Sequence, residues 1–179
     1  MNRTLPGLWL VFLLLICGTR AQEVKPTEYQ LKAAFIYHFA QFVNWPPSAF
    51  PNATSPFVIG VLGENPFGSA LEQAAHGKNL NEHPVVVKEI HALTEVTNNL
   101  QILFISASET RHLPEIFAAL RDHNVLTIGE TDRFLESGGM INFVREGTKI
   151  RFQINEEAAK SAGLKISSKL LSLATRKTQ

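Results

Sequence analysis

Few polar residues in this 179-residue chain stand where chemistry is usually done, and those few lie where strands should end. Ser106-Ala-Ser108-Glu109 follows an apolar run of strand length. A serine at a strand end can be a nucleophile, yet neither serine has the flanking glycines of a nucleophile elbow, and helix capping is the ordinary role. Gly60, Gly63 and Gly68 would let a phosphate approach a helix N-terminus. The Gly-Lys-Ser/Thr of a phosphate loop is missing, however, and so is the dinucleotide spacing. The six histidines (His38, His76, His83, His91, His112 and His123) include no pair at helical spacing and no His-Glu-x-x-His, so no metal site is expected. The acids are scattered, without the paired carboxylates of hydrolysis. No catalytic residue and no cofactor emerges. What remains is a group of polar residues beside apolar segments late in the chain: Asn142, Arg151, Asn155, Ser167, Ser168 and Lys169. Ser167-Ser168-Lys169 suits a helix N-terminus, where it caps or grips an anion.

The elements that must position these residues are legible from periodicity. Residues 57–62 (FVIGVL), 84–90, 101–105 and 125–128 are apolar runs of strand length, as in strands covered on both faces. Helical patterns separate them at 69–75 and 114–122, with a brief turn at 94–99. Thr131 should cap a short helix over 132–136. Residues 140–145 and 149–154 read as a hairpin about Gly147. Helices at 156–162 and from Ser167 or Ser168 to 174 close the chain, with a short extended piece at 164–166. Alternating strands and helices predict a single-domain α/β three-layer sandwich, with a mainly parallel sheet and a C-terminal antiparallel hairpin.

Residues 32–46 (KAAFIYHFAQFVNWP) belong to the most informative element, a helix expected over 28–44. At ~100° per residue, Gln30, His38, Gln41 and Asn44 gather into one polar stripe, and Phe35, Ile36, Phe39, Phe42 and Val43 cover the rest. So little polar face predicts burial against the sheet. Lys32 falls on the apolar side. It either pairs with Glu28 one turn back while its stem snorkels, or it lies on a binding surface. Pro46 is expected to end the helix at Trp45.

The first 21 residues read as a secretory signal: Arg3, an apolar run at 8–16 too short to span a bilayer, and small residues before a cut after Ala21. The only cysteine, Cys17, lies within it, so residues 22–179 hold neither disulfide nor thiolate. They carry 15 basic and 16 acidic residues, which gives no electrostatic reason to expect nucleic acid or an anionic membrane as partner. No later stretch approaches ~20 apolar residues, so no transmembrane span is expected after the signal.

Residues 32–46 together with 138–144 (GGMINFV), 150–155 (IRFQIN), Ala158, Ala162 and 166–171 (ISSKLL) resemble the YfiR-like family of exported bacterial proteins. Residues 57–63 with 66–68 (PFG) fit as well, and the resemblance runs from about 28 to 174. It implies a periplasmic, non-enzymatic regulator with an α/β fold, often a homodimer. The best-known member represses an inner-membrane diguanylate cyclase through that enzyme's periplasmic part, which lowers cyclic di-GMP and disfavours biofilm. An outer-membrane lipoprotein can draw the repressor away. That member has disulfide-forming cysteines; residues 22–179 here have none, so redox control by that route is excluded.

The family's signature positions are matched by Lys32, Tyr37, Trp45, Asn142 and Arg151. Lys32, Phe35, Tyr37, Trp45 and Arg151 are accordingly the candidates for binding a membrane signalling partner, a diguanylate cyclase or a histidine kinase. The alternative is a periplasmic small-molecule-binding module feeding a sensor or uptake receptor. Its pocket would lie at the strand ends near Gly129, with Gly63, Ser106, Asn142, Asn155 and Lys169 as candidates. An exported hydrolase would need a histidine bonded to Ser106 or Ser108.

Overall fold

A computed structural model describes residues 26–95 and 99–175. The secretory signal read at 1–21, Cys17 and part of the turn read at 94–99 lie outside the described residues. In chain order the elements are α1 (Glu28–Phe42), β1 (Val43–Asn44), β2 (Phe57–Leu62), α2 (Ala70–Ala75), β3 (Asn79–Leu80), β4 (His83–Ile90) and β5 (Ile102–Ile105). They continue with α3 (Leu113–Ala119), β6 (Leu126–Gly129), β7 (Ile141–Glu146), β8 (Lys149–Ile154), α4 (Glu156–Ser161), β9 (Lys165–Ile166) and α5 (Ser168–Leu173). One seven-stranded sheet runs β3-β4-β2-β5-β6-β7-β8, and β1 and β9 form a two-stranded antiparallel sheet. Strands β4, β2, β5, β6 and β7 are parallel. The expected hairpin β7–β8 makes one edge antiparallel, and β3 does the same at the other.

Period-two alternation splits the sheet between two cores. Ile59, Val61, Ile102, Phe104, Ile128, Ile141 and Phe143 face α1, α2, α4 and α5. Val58, Leu62, Leu103 and Ile105 face α3 and Phe134. Within the first core Phe39 packs its ring against Phe152 at 4.8 Å and Phe143 at 5.7 Å. The fold is thus the α/β three-layer arrangement with a mainly parallel sheet.

Three local expectations are corrected. Helix α1 ends at Phe42, not beside Pro46, because the Ser167 amide bonds the Phe42 carbonyl (2.9 Å) and Val43–Asn44 joins β9 as a strand. Its start is set by a capping box, Thr27 with Gln30. The segment 132–136 is a run of turns and no helix, with Arg133 at φ 62°. Phe134 is the reason: its ring lies where a Cβ on Gly129 or Gly139 would sit, 2.4 and 2.1 Å away. Thr131, read as a cap, instead holds a buried hydroxyl without a hydrogen bond. Ser108 caps no helix either; a 3₁₀ turn over Ala107–His112 leads into α3.

The β3–β4 hairpin was not legible in the sequence, and its two-residue loop explains why. Asn81 and Glu82 have φ of 47° and 73°, the double positive φ of a type I′ turn, where Asn-Gly is the usual signal. A glutamate there is strained. Glu82→Gly is expected to stabilise the fold by about 0.5–1 kcal/mol after glycine's own entropy is counted. A thermal melt that shows no rise would refute this.

Candidate functional site

Strand order places the reversal of connection between β2 and β5, the point where ligands bind in open α/β sheets. Here that crevice is filled. Gly63 has φ +87°, and a Cβ on it would lie 2.3 Å from Ser108 Oγ and 2.8 Å from Glu109 Cγ. Ser108 Oγ accepts from the Glu64 amide (3.1 Å) and lies 3.3 Å from Glu109 Oε1. Ser106 is buried, and its amide bonds the Leu62 carbonyl. His112 Nδ1 lies 3.0 Å from Glu109 Oε2, so the neighbouring histidine is engaged by the acid and not by a serine.

The pocket candidates do not converge. Gly63 and Ser106 line the filled crevice, and Gly129 is backed by Phe134. Asn142 donates to the Thr131 carbonyl (3.1 Å) while its Oδ1 is buried without a partner. Asn155 caps α4, accepting from the Ala158 amide at 3.0 Å, and lines a cavity of about 580 Å³ between the 135–136 turn and α5. Lys169 is exposed, its ammonium 5.3 Å from the Phe42 ring centre. Among the described residues no three His, Cys, Asp or Glu side chains gather as a metal site would require.

The side chains that do converge lie beyond the carboxyl ends of β5 and β6, beside the second half of β7. Lys32, on the first turns of α1, is only 4% exposed. Its ammonium sits 2.6 Å from Glu28 Oε1 and 2.5 Å from Glu130 Oε2. Tyr29 donates its hydroxyl to Glu130 Oε1 (3.2 Å), and Arg145 of β7 pairs with Glu28 Oε2. The Lys32 ammonium also lies 4.6 Å from the Tyr29 ring centre and 5.8 Å from that of Phe143. A cleft of about 320 Å³ opens over these groups, walled by Ala107, Phe143, Val144 and Ile150. The expected pairing with Glu28 is therefore present, but Lys32 is a buried member of a four-charge cluster. Glu130, Tyr29 and Arg145 were not singled out from sequence. The available clue was position: Glu130 directly follows the strand ending at Gly129, at the carboxyl edge.

Electrostatics follow the geometry. The hydrogen bond from Lys32 holds the Glu28 carboxyl below its ordinary value; burial opposes this, and Arg145 adds to it. Burial is the largest influence on Lys32 and lowers it, but the bonds and charges of Glu130 and Glu28 together outweigh burial and raise it. Burial, then the Glu130 charge, pushes the Tyr29 phenol up. Because the folded Glu28 value is depressed, its stabilisation is present above the unfolded value near 4.5 and is lost as pH falls through the folded one. Urea unfolding between pH 7 and 3 should show the wild type's advantage over Glu28→Gln shrinking below about pH 4.5. A constant difference would refute the assignment.

The remaining partner candidates take distinct positions. Phe35 is half-buried in the ring cluster with Phe39, Phe143 and Phe152. Tyr37 is buried beneath the Lys78 ammonium, 4.1 Å from its ring centre. Trp45 is half-buried, edge-on to Phe57, and its indole N–H donates to the Gln101 carbonyl (3.2 Å). Arg151 is exposed on β8, 3.6 Å from Glu146. Leu173, on α5, is 61% exposed and Leu31, on α1, is 36% exposed. Among the described residues no helix is long and apolar enough to cross a membrane.

The model of the YfiR/HmsC-like family matches residues 29–175. No curated protein matches the chain. The fold is similar to the crystal structure of a conserved domain protein from Vibrio cholerae O1 biovar El Tor strain N16961, with a TM-score of 0.54 and 13% identity. The match covers 83% of this chain and 60% of that one.

Proposed function

The chain belongs to the YfiR/HmsC-like family, whose members are periplasmic regulators of diguanylate cyclases, and from that premise we propose that it is an exported, non-enzymatic repressor of an inner-membrane signalling protein. The observation that carries this reading is the family match across 29–175, nearly all of the described chain. The partner is the periplasmic part of a diguanylate cyclase, with an outer-membrane lipoprotein as competitor and a homodimer as the working form. Repression is a population shift, the regulator binding the inactive receptor state more tightly than the active one. Arg151 contributes exposed surface to the contact, half-buried Phe35 and Trp45 contribute their open edges, and Lys32 and Tyr37 support it from beneath.

Deletion of the gene should raise cellular cyclic di-GMP and biofilm, and re-expression should reverse both. Crosslinked envelopes should yield one inner-membrane protein with a cytoplasmic cyclase domain when the tagged chain is captured. Unchanged cyclic di-GMP across growth conditions, with no such protein captured, would sink the reading.

A further inference from the structure

Strand β8 is one edge of the seven-stranded sheet. Its register with β7, closed by the Glu146–Lys149 pair, turns the N–H and C=O groups of Ile150, Phe152 and Ile154 away from β7. Among the described residues the one partner of that edge is Thr175, whose amide (2.8 Å) and hydroxyl (3.1 Å) both donate to the Phe152 carbonyl. An open edge invites pairing with another chain, and proteins commonly cover it. Thr175 also lines the cavity of about 580 Å³ beside Asn155. Leu135, Ile154 and Leu171 give that cavity apolar walls, and Glu136, Glu156 and Glu157 give it carboxylates; none of its lining residues is a cation. Two exposed cations meet these acids: Lys160 lies 3.1 Å from both Glu156 and Glu157, and Arg133 lies 3.1 Å from Glu136. Three carboxylates against two cations leave one negative charge in excess. The sequence runs on from Thr175 as Arg176-Lys177-Thr178-Gln179, with two cations and no acid. Four residues reach up to about 13–14 Å, enough to cross a cavity of this size.

We propose that residues 176–179 lie in this cavity as a strap across the edge of β8, with Arg176 and Lys177 over Glu136, Glu156 and Glu157 and the outward backbone groups of Ile154 beneath them. The strap is tethered at Thr175, so the contact is intramolecular and weak charge pairs are enough to hold it. It is an autoinhibitory contact: while it is in place, no extended segment of another chain can add to β8. The inference stands on the edge, the cavity and the charge of residues 176–179, and does not rest on the repressor reading.

The test is backbone amide NMR relaxation and hydrogen exchange on the purified chain and on the double variant Arg176→Glu with Lys177→Glu. In the wild type the order parameters of Arg176 and Lys177 should be about 0.8, against less than about 0.6 for a free tail. Charge reversal should bring both below about 0.6, and so should salt of about 1 M. The variant should exchange the Phe152 and Ile154 amides at least about tenfold faster than the wild type while exchange in β5 stays unchanged. The variant keeps Thr175 and its bonds to Phe152, so the faster exchange reports the strap itself. Order parameters below about 0.6 at Arg176 and Lys177 in the wild type would overturn the proposal. So would order that survives charge reversal, or exchange at Phe152 and Ile154 that does not respond to it. If residues 176–179 are free and these amides become protected only as protein concentration rises, the edge takes a second copy of the chain and the strap is refuted.

Discussion

Lys32→Ala is expected to destabilise the fold by about 3–5 kcal/mol, although the residue carries a charge and sits near a helix end. The reason is what the substitution leaves behind. Glu130, with a side chain 10% exposed, loses its cation and keeps only the Tyr29 hydroxyl, and Glu28 keeps only Arg145. An uncompensated buried carboxylate costs far more than the ion pair itself contributes. The paired variant Lys32→Met with Glu130→Leu removes both charges and fills their space with apolar atoms. It should therefore regain most of the loss and lie within about 1 kcal/mol of the wild type. Urea unfolding of the three proteins decides the matter. A single variant within about 1 kcal/mol of the wild type would mean that water reaches the cluster, contrary to the burial of Lys32.

The second large effect belongs to Gln101, whose side chain is wholly buried. Its Oε1 accepts from the Val58 amide at 2.7 Å, and its Nε2 donates to the Ala49 carbonyl at 2.7 Å. It ties the start of β2 to the loop after α1. Its own carbonyl accepts from Trp45 Nε1 and from the Leu126 amide, so one residue joins four segments. Gln101→Met keeps the volume and strands a buried amide and a buried carbonyl. Each unsatisfied group costs roughly 1–3 kcal/mol, so a loss of about 2–5 kcal/mol is expected. Trp45 is the one tryptophan after residue 21, so its fluorescence reports on the loosened loop. A denaturation midpoint equal to the wild type's would show that water substitutes for the amide.

These two residues mark where sequence reading ends. Strands β2, β5 and β6 and the β7–β8 hairpin were legible because apolar runs, alternation and a glycine turn are local patterns. The burial of α1 was legible from its narrow polar stripe, and Gln30, His38, Gln41 and Asn44 are the exposed residues that pattern named. The Ser167 cap followed the same local logic.

The site was not local. Lys32 shows its nearer partner, Glu28, at helical spacing, but Glu130 is 98 residues away and meets it only because β6 lies under α1. Arg145 reaches Glu28 across 117 residues by the register of β7. The strand-end crevice that sequence offered as a pocket is closed by Ser108 and Glu109, and Gly129 by Phe134, contacts that no periodicity encodes. By itself, then, the sequence determined most of the longer elements, the buried face of α1 and the family, because backbone geometry repeats over a few residues. Which charges share a cleft and which crevice is filled were decided by tertiary structure alone, because strand order and register bring distant side chains within hydrogen-bond reach.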